Sequence, residues 1–454
     1  MTKRTSYRSL SRGIIVDSFA GGGGASTAIE MALGVSPDIA INHDADALAM
    51  HEANHPNTKH LVTDVWDVDP VVAAAGRTVD LAWYSPNCQH FSKAKGGKPR
   101  NAKIRSLAWV IIRWARTVRP RLIFCENVVE WKTWGNLLPD GTPCPKRKGK
   151  TFRTWLSKLK ACGYEVEMRE LRACDYGAPT TRKRLFIIAR CDGQPIVWPT
   201  PTHGPGRAHP WRTAAEIIDW SMPCPSIFER SKPLAEKTLA RIARGIDRFV
   251  LRGEPYVVNG GAPTLIQTGY GERPGQAPRS LDLKDPLGTV VAGGAKHALV
   301  MAWLAKHYGG NENSGLSVQD PLATITTQDH HALVTASTVG AHAEEVRAFL
   351  TQYNGSSIGQ SLQQPLGTIT THDRFGIVTV KGEKYQIADI SMRMLSPREL
   401  FRAQGFDDDY IIDPIVNGKR LSQTAQIRMV GNSVSPPVAA AIVRANVSQA
   451  AVAA

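Results

Sequence analysis

The sequence predicts an α/β protein, an open sheet of mostly parallel strands interrupted by a smaller β-rich domain. Three observations carry this expectation. Short apolar runs recur at 13–19, 38–41, 60–62, 80–84 and 122–125, separated by helix-length segments. The first run feeds a glycine turn, Gly21 to Gly24, and then a helical stretch from Ala25 to Leu33. From Trp198 onward proline, glycine and threonine become frequent, and the rhythm returns only near Ser396.

Composition narrows the class. A chain of 454 residues with 42% hydrophobic content buries one large core or two modest ones. A formal charge of +15 and a pI near 9.6 favour a polyanionic partner, nucleic acid before an anionic membrane. No apolar run reaches the length of a spanning helix, and the basic start precedes only Gly13-Ile14-Ile15-Val16, too short for a signal peptide. Seven cysteines without a Cys-x-x-Cys pair argue against a disulfide framework and a structural zinc, so a reducing cytoplasm is expected.

The first strand ends in Asp17-Ser18-Phe19, and the glycines after it let backbone approach a ligand at a helix amino end. That turn suits a dinucleotide, S-adenosylmethionine, or no ligand at all. Asn42-His43-Asp44 and Asp64-Val65 close the second and third strands; each aspartate is a ligand contact or a helix N-cap. Asp80 to Tyr84 is the fourth strand, broken at Ser85-Pro86. There begins Asn87-Cys88-Gln89-His90-Phe91-Ser92, followed by Lys93, Lys95 and Lys98. A cysteine in a polar, electropositive loop at a strand's carboxyl end is a candidate nucleophile, with an inert core thiol as the alternative.

After an amphipathic helix around Arg105 to Arg116, the strand Leu122 to Cys125 ends in Glu126-Asn127-Val128. Glu126 is there a raised-pKa acid or a salt-bridged rim residue. Between Lys132 and Lys160 eight basic residues face only Asp140, which makes either a solvated loop or a phosphate-contacting surface. Arg182 and Arg184, two apart in an extended segment, share a face.

The β-rich region carries an imperfect repeat: Asp285 to Val290, Asp320 to Ile325 and Gln364 to Ile369, each followed by a turn and a second apolar run. The copies predict repeated β-hairpins. His297, His330, His331 and His372 fall in the expected turns with no metal-ligand spacing, so they are read as exposed and no metal is expected. Ser396-Pro397-Arg398-Glu399 is a capping box that starts a helix ending at Gln404-Gly405, and an alanine-rich helix closes the chain.

Six segments in this order resemble the DNA (cytosine-5) methyltransferase family: Phe19 to Gly24; Cys88-Gln89; Glu126-Asn127-Val128; Asp175-Tyr176-Gly177 with Arg182 and Arg184; Arg398-Glu399 with Gln404-Gly405-Phe406; and Gly431-Asn432-Ser433-Val434. They cover nearly the whole chain except the repeat region. The resemblance implies a Rossmann-like S-adenosylmethionine-dependent methyltransferase domain over 1–200, completed by 390–454, with 201–389 as the inserted target recognition domain.

It also implies roles. Cys88 attacks C6 of a flipped-out cytosine, Glu126 bonds its N3, and Arg184, with Arg182 close by, holds its O2. Phe19, Ala20, Gly21, Gly23 and Gly24 hold S-adenosyl-L-methionine, with His43 or Asp44 towards the ribose, Asp64 and Val65 at the adenine, and Ser85, Asn432, Ser433 and Val434 completing the cofactor site. S-adenosyl-L-homocysteine is the product. Gln89, Ser92, Lys93, Lys95 and Lys98 lie along double-stranded DNA, with the Ser92 to Asn101 loop closing behind the flipped base. Gln328 and Arg374 offer side chains of the kind that pair with adenine and guanine edges, or else simply cap the β-domain.

The chain departs from the family pattern at Asn87, where a proline is usual; within Asn42-His43-Asp44, where either Asn42 replaces the acidic ribose ligand or Asp44 supplies it from a shifted position; at Thr180; and at Met429 or Val430 where a glutamine is common. A monomer in a prokaryotic or phage-infected cytoplasm, with a cognate restriction endonuclease as a candidate partner, is the expectation. A non-catalytic DNA-binding protein on the same scaffold and an RNA cytosine-5 methyltransferase are the alternatives.

Overall fold

The computed structural model describes residues 13–87, 106–269, 271–306, 342, 345–346, 348–350, 377–380 and 383–447. They divide into two compact units. The first comprises described residues up to 218, with 284–296 and those from 395 on; the second comprises 219–283 and the described part of 297–394. Residues 201–218 and 284–296 thus group with the first unit, and 390–394 with the second.

In the first unit seven strands form one sheet. In chain order, with the helices between them, they are β1 (Ile14–Ser18), α1 (Gly24–Leu33), β2 (Ile39–Asn42), α2 (Ala45–Asn54), β3 (Lys59–Val62), α3 (Pro70–Ala74), β4 (Val79–Tyr84), α4 (Trp109–Thr117), β5 (Leu122–Asn127), α5 (Lys150–Ala161), β6 (Glu165–Arg172) and β7 (Lys183–Arg190). The sheet order is β3-β2-β1-β4-β5-β7-β6, parallel except that β7 runs antiparallel to both β5 and β6. This is the mixed α/β sheet that the alternating pattern predicts.

Strand side chains alternate between two helix layers. Ile14 and Val16 of β1, Ile123 and Cys125 of β5, and Leu185 and Ile187 of β7 pack with Trp114 and Trp155 of α4 and α5. Ile15, Phe124 and Phe186 pack on the other face with Ala28 and Ile29 of α1. Because both faces are covered, these strands read as continuous apolar runs. The second layer is completed from the far end of the chain by Val438, Ala439 and Ile442.

The second unit holds α6 (Glu236–Ile246) and the strands β8 (Gly261–Gln267), β9 (Ser280–Leu281), β10 (His297–Lys306), β11 (Ile377–Val380) and β12 (Glu383–Met394), in the order β11-β12-β10-β8-β9, all antiparallel. Ile242 and Ile246 of α6 pack on Ala262, Ile266 and Val300. Two expectations are corrected here. Asp285 to Val290, the first repeat copy, is no hairpin arm: Leu287 N–H donates to Pro179 O at 3.0 Å and Leu287 O accepts from Thr181 N–H at 2.8 Å, within the first unit. Its backbone finds partners over a hundred residues upstream, and Pro286 cannot donate to a ladder. His297 is not an exposed turn residue but a buried member of β10, 1% exposed. The other two repeat copies, His330, His331 and His372 lie outside the described residues.

In the first unit α7 (Pro397–Gln404), α8 (Gln423–Asn432) and α9 (Pro436–Asn446) follow. Ser396 caps α7 reciprocally with Glu399, and Gly405 ends it at φ 89°, as the capping box and glycine foretell.

Candidate active site

The carboxyl ends of β1 to β4 open on a cavity of about 700 Å³, room for a ligand of nucleoside size. The turn after β1 builds one wall. Phe19 takes the left-handed region at φ 64°, rare for a non-glycine residue. Ala20 fixes the turn against β2, donating its N–H to Ile41 O at 3.1 Å and accepting from Asn42 Nδ2 at 2.8 Å. A side chain on Gly24 would run into Ser433 Oγ and the Val434 backbone, whereas one on Gly21 would meet nothing. The α1 amino end and the segment 432–434 therefore pack directly together, and Gly21 leaves its backbone open to the cavity.

Phe19, Gly21, Gly24, His43, Asp44, Asp64, Val65, Ser85, Asn432, Ser433 and Val434, expected around a cofactor, all line this cavity. Ala20 and Gly23 do not. Ala20 is buried against Ala40 and Leu48, and Gly23, at φ 97°, is the N-cap of α1. The acidic edge also differs from the simplest expectation. Asn42 gives its amide to Ala20 and accepts from Asp44 N–H at 2.9 Å, so it is committed to the turn. Asp44 caps α2 through Ala47 N–H and pairs with Arg428 of α8, which also reaches Asp46 at 3.4 Å. His43 is exposed, and Asp64 accepts from Trp66 N–H at 2.9 Å.

Glu126 stands at the end of β5, 6% exposed, and lines the same cavity. Its Oε1 lies 3.1 Å from Arg184 Nε and 3.9 Å from Arg182 Nη2. Burial pushes its carboxyl above the usual range, against the downward pull of Arg184 and then Arg182. The two arginines do share a face, but their surroundings differ. Arg182 is 2% exposed and donates to Val290 O at 3.2 Å, Gly431 O at 3.0 Å and Ser433 O at 2.7 Å, which makes it a tie between segments. Arg184 is half-buried, and among the described residues its guanidinium donates to Lys183 O at 3.0 Å besides its carboxylate contact. Asn127 Nδ2 donates to Pro86 O at 2.9 Å, so the entry to the cysteine loop is pinned beside the Glu126 strand.

Cys88, Gln89, Ser92, Lys93, Lys95, Lys98, Gln328 and Arg374 lie outside the described residues. Asp17, Trp66 and Arg428 also line the cavity, and the sequence reading assigns none of them a role. Each had a signal: Asp17 is two before Phe19 in an extended strand end, Trp66 is two after Asp64, and Arg428 is one helical turn before Asn432.

The family model described as C-5 cytosine-specific DNA methylase matches residues 14–207 and 321–448. A Type II methyltransferase, M.AgeI of Thalassovita gelatinovora, is 31% identical over 198 residues, 42% of this chain and 43% of that protein. M.DdeI of Desulfomicrobium norvegicum is 29% identical over 185 residues, 40% of this chain and 41% of its own length. The chain spans less than half the length of either relative. In fold it is similar to the S. pombe Dnmt2 methyltransferase, with a TM-score of 0.50 at 12% identity over 95% of this chain and 97% of that one. Since the family model spans both the strands that build the cavity and the C-terminal helices that close it, the chain belongs to the C-5 cytosine-specific DNA methylase family.

Proposed function

We propose that this chain transfers a methyl group from S-adenosyl-L-methionine to C5 of a cytosine in duplex DNA. The observation that carries the reading is Glu126, a buried carboxyl flanked by two arginines, in the wall of the cavity that the glycine turn opens. The cavity fits the cofactor: its size suits a nucleoside with an amino-acid tail, Gly21 exposes backbone, and Asp64 and His43 offer polar edges. When bound there, S-adenosyl-L-methionine supplies an electrophilic methyl group.

Cys88, at the end of the segment that Asn127 pins, adds its thiolate to C6 of the base. Glu126 keeps a proton at N3, so the ring accepts the electron pair and C5 becomes nucleophilic. Arg184 faces O2, and Arg182 holds the surrounding backbone. C5 would then take the methyl group, the C5 proton would leave to water, and the C6–sulfur bond would break, restoring the Cys88 thiolate as N3 returns its proton to Glu126. Because C6 is inaccessible in a stacked duplex, the base is flipped out.

The second unit is the target recognition domain in this reading, with Gln328 and Arg374 among its base contacts. The Type II names of the relatives support a cognate restriction endonuclease as partner. The test is transfer of labelled methyl from S-adenosyl-L-methionine to duplex DNA and to RNA. Labelling of DNA alone is expected; labelling of RNA alone, or of neither, overturns the assignment. A duplex carrying 5-fluorocytosine at the target should trap a covalent adduct that Cys88→Ala cannot form.

A further inference from the structure

Residues 284–296 follow Leu283 and precede His297, both of the second unit, yet the segment itself groups with the first. It lies as a strap along 179–182. Leu287 exchanges backbone bonds with Pro179 and Thr181, Thr180 Oγ1 donates to Gly288 O at 3.3 Å, and Ala214 N–H donates to Asp285 O at 2.8 Å. Pro286, Leu287 and Val290 are buried there. Farther along, the strap presses on the end of α8, where a side chain on Gly431 would overlap the backbone of Val291 and Ala292. Only glycine fits beneath it.

What the strap holds is the guanidinium of Arg182. Its Nη1 donates to Val290 O at 3.2 Å and to Gly431 O at 3.0 Å, and its Nη2 donates to Ser433 O at 2.7 Å. Both Nη1 protons are thereby engaged, one by the strap. Nη2 stands 3.9 Å from Glu126 Oε1, which is just beyond hydrogen-bond reach. With Arg182 2% and Glu126 6% exposed, a donor released from Val290 would find little solvent to turn to. The carboxyl is the partner at hand, and a charge-assisted bond to it would be the stronger one.

We propose that the 284–296 strap is a positioning element for Glu126: by engaging Arg182 through Val290 O, it keeps the guanidinium from closing on the carboxyl and leaves Glu126 able to hold a proton. This rests on the acid role given to Glu126 above. Burial raises that carboxyl, with Arg184 and then Arg182 pulling it down, so a nearer Arg182 tips the balance towards the carboxylate. The groups facing it are these two arginines, with the buried Cys125 thiol beside it in β5, while Asp17, His43, Asp44, Asp64 and Arg428 line the same cavity.

The test titrates the Glu126 carboxyl itself by infrared difference spectroscopy of the full chain, the band being assigned by its absence from Glu126→Gln. Two substitutions loosen the strap. Thr180→Val keeps the buried shape but removes the hydroxyl that donates to Gly288 O and accepts from Arg182 N–H, and Gly431→Ala drives a methyl group into the strap backbone. Each should lower the pH at which the band is lost by about 1 or more, the size of change that an approaching arginine causes. The alkaline limb of methyl transfer should move with it. In an Arg182→Gln background neither substitution should move the band further, which a general loosening of the site would not give.

A band that titrates as in wild type in the folded variants overturns the proposal, and so does a change that persists without Arg182. Should Gly431→Ala fail to fold, the nearly isosteric Thr180→Val decides alone. Because the titration needs no turnover, it reports on the strap even if wild type transfers no methyl group, the separate result that overturns the function.

Discussion

Asn127 donates its side-chain amide to the carbonyl oxygen of Pro86 across 2.9 Å of buried interior, while its own Oδ1 accepts from Val128 N–H at 2.8 Å. One residue thereby sets the end of β5 and the departure of the chain from β4. Asn127→Ala leaves the Pro86 carbonyl buried and unpaired, a loss of ~1–3 kcal/mol. Thermal unfolding should record that loss. Methyl transfer should fall more than S-adenosyl-L-homocysteine affinity does, because the pinned segment leads to Cys88; an equal fall in both would place the effect in the cavity instead.

Glu126 is held in its acid form to higher pH than an ordinary glutamate, burial being the largest cause. Its protonated form is lost as pH rises through the raised value, so the methylation rate should carry an alkaline limb. Glu126→Gln should still bind DNA, turn over ~10²-fold or more slowly, and lose that limb. A pH–rate profile of the variant identical in shape to wild type would remove the assigned role.

His297 predicts an acid-sensitive second unit. Burial in β10 lowers its imidazole from 6.5 to about 4. Below pH 6.5 the unfolded chain binds a proton that the native fold refuses, so the native state is fully favoured above 6.5 and weakens as pH falls towards 4. The shift corresponds to about 3 kcal/mol across that window. His297→Gln should flatten the slope of Tm against pH between 6.5 and 4, and an unaltered slope would point to other groups.

Lys146, Lys148 and Lys150 are exposed and lie within the most one-sided run of charge in the chain. If they meet phosphates, replacing all three with alanine should reduce the slope of log affinity against log salt by about 2.7, near 0.9 per contact. Fluorescence anisotropy with a labelled duplex at several salt concentrations measures this directly. The same slope as wild type would place the DNA path elsewhere.

The parts legible in the sequence are those written locally. Ser396 and Glu399 announce α7 because capping is completed within four residues, and Glu126 announces itself because an apolar run ends in a carboxylate. Asp285 to Val290 misleads because its backbone bonds residues 179–182 and Ala214, pairings no local pattern encodes. His297 misleads because a lone histidine before an apolar run reads as a turn until β8 pairs with it at Gln267 and the strand it begins lies between β8 and β12. Arg182 looks like a ligand-facing twin of Arg184, yet its carbonyl partners lie 108, 249 and 251 residues away. The sequence leaves open which of Asn42, His43 and Asp44 faces a ligand, because the commitment of Asn42 to the turn depends on how Ala20 folds back against β2.

The reach of Arg182 has a consequence for the order in which this chain is made. β1 to β7 leave the ribosome first, with Arg182 among them, but the carbonyls of Gly431 and Ser433 that hold its guanidinium emerge about 250 residues later. Until then Gly24 has no Ser433 to pack against and the cavity lacks the wall that residues 432–434 provide. At ~5–20 residues per second, that interval lasts on the order of tens of seconds. Throughout it, a nascent chain can build its central sheet but not its complete ligand cavity.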